Sequence, residues 1–120
     1  MRNLVMLNIS SNSIDDEGVQ HLAQASYLRN LEHLYIDDNH LSDVAGGYLA
    51  NSSYLVNLKH LSIAYNTLGT MGTIAIANSE NFKNLTHIWL QCNSIKEDGV
   101  HSLVMSDFFV NLIHLDLSQN

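Results

Sequence analysis

Marked as apolar and polar positions, the chain repeats one phrase: apolar, two spacers, apolar, one spacer, apolar, two spacers, Asn, one spacer, apolar. Leu85, Ile88, Leu90, Asn93 and Ile95 carry it in one copy. Leu4, Leu31, Leu58, Leu85 and Leu112 open five copies, each 27 residues after the last. Asn12, Asn39, Asn66, Asn93 and Asn120 hold the ninth position of each copy. The central apolar-x-apolar alternation predicts a short β-strand. In the fourth copy it sends Ile88 and Leu90 inward and His87, Trp89 and Gln91 outward. A strand this short becomes stable only by stacking on the next copy, where it gains a hydrogen-bond ladder and a shared core. A buried Asn at its end can bond backbone groups that the turn leaves unpaired. The Asn12, Asn39, Asn66, Asn93, Asn120 row is therefore a structural ladder with no chemistry assigned to it.

After each turn the period becomes helical. Asp15-Asp16-Glu17-Gly18 predicts a helix start with an acidic cap and first turn. Val19, Leu22 and Ala23 then give one inward stripe. Asp43 and Thr70 are the expected caps of the second and third helices. Leu49 and Ala50, then Ile74, Ile76 and Ala77, supply their apolar faces. The fourth helix runs through Glu97, Gly99, Val100, Leu103 and Val104 toward Phe108-Phe109. Gly46-Gly47 weakens the second helix, at about 1 kcal/mol per glycine relative to Ala. Tyr27 and Leu28 should close the core on the way back, with Tyr54 and then Asn81 at the place of Tyr27. Asn3, Asn30, Asn57, Asn84 and Asn111 precede the opening leucines, where a left-handed residue ending each helix is expected.

The predicted fold is an α/β solenoid: a parallel concave sheet of five short strands, with helices on the convex side. Residues 1–120 form a single domain whose copies start near 4, 31, 58, 85 and 112. The phrase L-x-H-L-x-L-x-x-N-x-I-x-D-x-G-x-x-x-L-A resembles the leucine-rich repeat family, in its ribonuclease-inhibitor-like subclass. The N-L-x-H-L phrase is also similar to repeat proteins of intracellular bacteria that act on host cells. The resemblance covers essentially the whole chain and implies a recognition scaffold that binds a macromolecule through its concave face. No polar cap precedes Leu4 and the fifth copy has no helix, so a fragment of a longer array is expected, or one whose open ends associate end to end.

Composition narrows the partners. The chain is 46% hydrophobic, 14% charged and free of proline, as suits uninterrupted packed repeats. Its net charge of −7 argues against nucleic acid and against an anionic membrane surface, and leaves room for a basic protein partner. Cys92 is the single cysteine, so no internal disulfide forms, which fits a reducing compartment or an extracellular one that needs no bridge. No apolar run is long enough for a membrane span. Met1-Arg2-Asn3 leads straight into the first copy, so no signal peptide is expected, and the location expected is the cytoplasm, or a host cytosol for a bacterial effector.

Outward positions form columns. Met6, His33, His60, His87 and His114 make a regular one. Asn8, Tyr35, Ser62, Trp89 and Asp116 make a variable one, as do Ser10, Asp37, Ala64, Gln91 and Ser118. The adjoining loop column is Ser11, Asp38, Tyr65, Cys92 and Gln119. Regularity serves a scaffold, whereas variation on a regular frame is where partner choice is written. The candidate contacts are therefore Tyr35, Asp37, Asp38, Tyr65, Trp89, Gln91 and Asp116: exposed aromatics anchor interfaces, and the carboxylates favour a basic patch. The histidine row should resist full protonation, because like charges would stack. A collinear row lacks the converging ligands of a tetrahedral site, so no metal is assigned. No cofactor motif appears. No nucleophile or carboxylate pair appears either, so a non-enzymatic binding scaffold is expected. The alternative is the substrate-recognition segment of a larger enzyme, such as a ubiquitin ligase or GTPase activator, with catalysis outside this chain. Asn8-Ile9-Ser10, Asn51-Ser52-Ser53 and Asn84-Leu85-Thr86 match the glycosylation sequon but need a secretory route that nothing else suggests.

Overall fold

The structure, a computed structural model, describes residues 1–120. Five three-residue strands, β1 (Met6–Asn8), β2 (His33–Tyr35), β3 (His60–Ser62), β4 (His87–Trp89) and β5 (His114–Asp116), pair in parallel in chain order. Every pair has a 27-residue register: Met6, His33, His60, His87 and His114 share one row, and Asn8, Tyr35, Ser62, Trp89 and Asp116 another. The helices are α1 (Asp15–Ala23), α2 (Asp43–Ala50), α3 (Gly69–Ala77) and α4 (Glu97–Val104). Between the layers lie Leu34, Leu61 and Ile88 from the strands, Leu49, Ile76 and Leu103 from the helices, and Phe82 from a return segment. Each such side chain contributes about 1.5–3 kcal/mol by leaving water. Leu7 and Leu115, in the outermost strands, are only partly buried.

Three rows of polar side chains reinforce this stack. Asn66 Nδ2 donates to the carbonyls of Ile36, Ile63 and Ala64 at 3.0–3.1 Å, while its Oδ1 accepts from Asn39 N and Leu41 N. Asn39 and Asn93 repeat the arrangement, each reaching back one copy. The asparagines before the opening leucines do something other than expected. None has positive φ. Instead Asn30, Asn57, Asn84 and Asn111 each donate to the carbonyl 28 residues earlier, on Arg2, Arg29, Val56 and Lys83. The third row, of serines, had no place in the sequence reading. Ser52 and Ser79 Oγ donate at 2.6 Å to Ala23 and Ala50, and Ser106 Oγ donates to Ala77, so the last helical carbonyl of the preceding copy is satisfied.

Helix entries differ between copies. Asp15 caps as predicted: its Oδ1 accepts from Glu17 N and Gly18 N at 3.0 and 3.2 Å. In the second copy the cap is Ser42, not Asp43, because the extended backbone of Ser42 aims its hydroxyl at Val44 N, 3.2 Å away. Thr70 is not a cap either. The chain enters α3 through Gly69 at φ +63, and Thr70 Oγ1 accepts from Lys96 N of the next copy. On the return, short 3-10 turns at Ser26–Leu28 and Glu80–Phe82 rotate Leu28 and Phe82 into the core. Tyr27 is consequently 48% exposed and does not close the core. Asn81, in the equivalent place, bonds the carbonyls of Ala50 and Ser52, a role no tyrosine could fill with its ring.

The glycine pair of α2 is also unequal. A Cβ on Gly46 would lie 2.7 Å from the Gly72 backbone of α3, so these glycines set how closely the two helices approach. A Cβ on Gly47 would meet nothing within 4 Å.

Candidate functional site: an aromatic and imidazole platform on the concave face

Period-two alternation places Trp89 and its row on the concave side, but their neighbours decide their arrangement. The parallel register sets the histidines side by side. Ring centroids are 4.5 Å apart for His33–His60, 4.4 Å for His60–His87 and 5.7 Å for His87–His114. The first two match the strand spacing of about 4.8 Å, as packed rungs should. Trp89 lies over this row. It stacks on His87 (5.7 Å, 23° between planes) and touches His60 at 5.9 Å, His114 at 5.2 Å and Tyr35 at 6.4 Å. Trp89 and Tyr35 are therefore half-buried against their own sheet. His60, His87 and His114, read from the pattern as scaffold, are members of the platform. The available signal was position: on a strand, residues two apart share a face, so His87 and Trp89 had to be neighbours.

The carboxylates differ in availability. Asp37 bridges three copies: it accepts from Ser62 Oγ at 2.5 Å, Ala64 N at 2.7 Å and Ser10 Oγ at 3.4 Å. These bonds hold it rigidly and occupy much of its acceptor capacity. Asp38 is exposed and takes one bond, from Ser11 Oγ. Asp116 is anchored by Ser118 N at 2.9 Å, and that bond holds its carboxyl below the usual carboxylate range. Gln91 Oε1 and His33 Nδ1 are buried without a partner.

The loop column adds a feature invisible in the residue pattern. Ser11, Asp38, Tyr65, Cys92 and Gln119 all have φ between 52 and 58°, although none is glycine. This left-handed step turns the following Asn inward in every copy. A bulky residue adopts it only when its surroundings impose it. Tyr65 is held there by its N–H on the Gln91 carbonyl at 2.9 Å, with its side chain projecting and the residue 55% exposed. Cys92 Sγ donates to Gln119 Oε1 at 3.0 Å.

The arrangement suits a broad ligand. The largest concavity, of roughly 750 Å³, is a polar trough along the strand starts, lined by residues such as Asn30, Glu32, Asn57 and Lys59. It holds none of the aromatic residues and lacks the apolar lining of a small-molecule site. The platform itself is an open surface. No three His, Cys, Asp or Glu side chains come together as a metal site.

A family model described as Leucine Rich repeat matches residues 1–23, 27–50 and 54–77. The chain belongs to the leucine-rich repeat family. The geometry carries the same repeat on through β4 and β5, beyond the matched residues. A search of curated proteins finds no match. Leucine-rich repeats are generally protein-interaction modules and typically non-catalytic. No helix is long and apolar enough to cross a membrane.

Proposed function

We propose that this chain is a non-enzymatic protein-binding module whose concave sheet receives a basic segment of its partner. The observation that carries this reading is the platform itself. Trp89 and Tyr35 present a fixed aromatic surface, and Asp116 and Asp38 stand at its margins. The outward strand columns contain no Lys or Arg. A planar guanidinium suits this setting, since it stacks on an aromatic face while pairing with a carboxylate. Tyr65 and Gln91 extend the surface toward the loop column. The 27-residue period and the helix in each of four copies support the ribonuclease-inhibitor-like subclass.

The test is a pull-down comparing the wild-type chain with a Tyr35→Ala/Trp89→Ala variant of matched circular dichroism. The expected partner is captured by wild type, lost by the variant and released by salt. The same proteins captured by both would move the binding surface off the platform.

A further inference from the structure

We infer that the histidine row makes partner binding proton-controlled: as the pH falls from about 7 toward 5, the rings charge, cancel the acidity of the concave face and release a basic partner. This deepens the basic-partner reading and rests on it.

The argument starts from charge and position. The concave columns hold three carboxylates, Asp37, Asp38 and Asp116, and four imidazoles, His33, His60, His87 and His114. The face carries −3 with every ring neutral, and three protons bring it to zero. Those protons would arrive beneath the candidate anchor, because Trp89 touches three of the four rings. His87 matters most. It already lies against the indole plane, so once protonated it supplies the cation that a partner's guanidinium would otherwise supply.

Charged and polar groups face the row along its length. Glu32 lies beside His33, although Lys59 Nζ binds that carboxylate at 2.9 Å and holds its carboxyl below the usual range. Asp116 lies beside His114. Thr86 Oγ1 sits 2.9 Å from His87 Nδ1. Tyr35 and Met6 complete the surroundings with neutral groups. His60 stands between His33 and His87, with Lys59 next to it. Burial, then repulsion from those three groups, holds it below the ordinary imidazole range. Rings this close titrate as a coupled set, in which His60 is the ring whose charging its surroundings oppose.

Two measurements on the full chain test this. In an NMR pH titration, the His60 midpoint is expected below the ordinary imidazole range. No protonation of any ring in the row between pH 7.5 and 5.5 would overturn the inference whatever the partner. Calorimetry with an alternating Arg-Gly octapeptide as probe, at pH 7.5 and 5.5 and constant ionic strength, gives the second. Wild type should bind at least tenfold more weakly at pH 5.5, and a folded His60→Gln/His87→Gln variant less than threefold more weakly. Equal wild-type affinities, or a full tenfold loss retained in the variant, overturn proton control and leave the basic-partner reading standing. Failure of the peptide to bind at pH 7.5 overturns that reading, and with it the release step.

Discussion

Asn57 and Asn66 lie nine residues apart, and each recurs every 27 residues, one just before a strand and the other just after. Asn66 is 7% exposed and its amide takes part in five hydrogen bonds, three given and two received, tying its own copy to the preceding one. Asn57 is exposed and gives one bond, to the Arg29 carbonyl at 2.7 Å. The residue type and period are the same, but the environments are not. A buried amide that leaves backbone groups unpaired costs their full desolvation, whereas an exposed one is replaced by water. Periodicity alone therefore does not rank the rows; burial does.

The sharpest way to break this comparison is Asn66→Ala. It should destabilise the fold by about 3–5 kcal/mol, since several buried backbone groups lose their partners at once. Urea unfolding would show it, and a loss below about 1 kcal/mol would mean the turn row does not bind the copies together. Next comes Gly46→Ala, expected to cost about 1–3 kcal/mol because α2 and α3 must move apart. Asn57→Ala should cost about 0.5–1.5 kcal/mol, the worth of one ordinary hydrogen bond. If it matched Asn66→Ala by the same unfolding assay, the contrast between rows would collapse. Gly47→Ala has the opposite sign: with no steric obstacle it should stabilise by up to about 1 kcal/mol, read as a higher melting temperature.

The smallest effect is in the pH dependence of stability. His60 has its folded-state value lowered from the unfolded one of about 6.5. The unfolded chain then binds more protons below that pH, so this contribution to stability is intact above about 6.5 and declines as the pH drops. His60→Gln should flatten the slope of melting temperature between pH 7 and 5. A slope unchanged from wild type would remove His60 from the row's energetics.

The helix entries show why some of this was legible and some was not. Asp15 was readable as a cap because its two acceptors, Glu17 N and Gly18 N, are its own close neighbours in the chain. Ser42 outcompetes Asp43 with help from another copy, since Asp16 Oδ1 accepts from Ser42 N at 2.8 Å. Thr70 was drawn away by Lys96, 26 residues on. At the site, the concave position of Trp89 followed from alternation. Its half-burial did not, because that depends on Tyr35, His60 and His114, each one or two copies away.

The sequence by itself determined the period, the register and the side of the sheet each strand residue occupies. An unbroken 27-residue repeat admits one parallel stacking, and a slip by one residue would turn every inward leucine to solvent. The tertiary structure alone decided which identical residues matter. It distinguished Gly46 from Gly47, made hydrogen-bond donors rather than left-handed residues of Asn30 and Asn57, tied Asp37 into three copies and packed three histidines against one tryptophan. The physical reason is common to all: their partners are about one repeat away, and only stacking brings such partners within bonding distance.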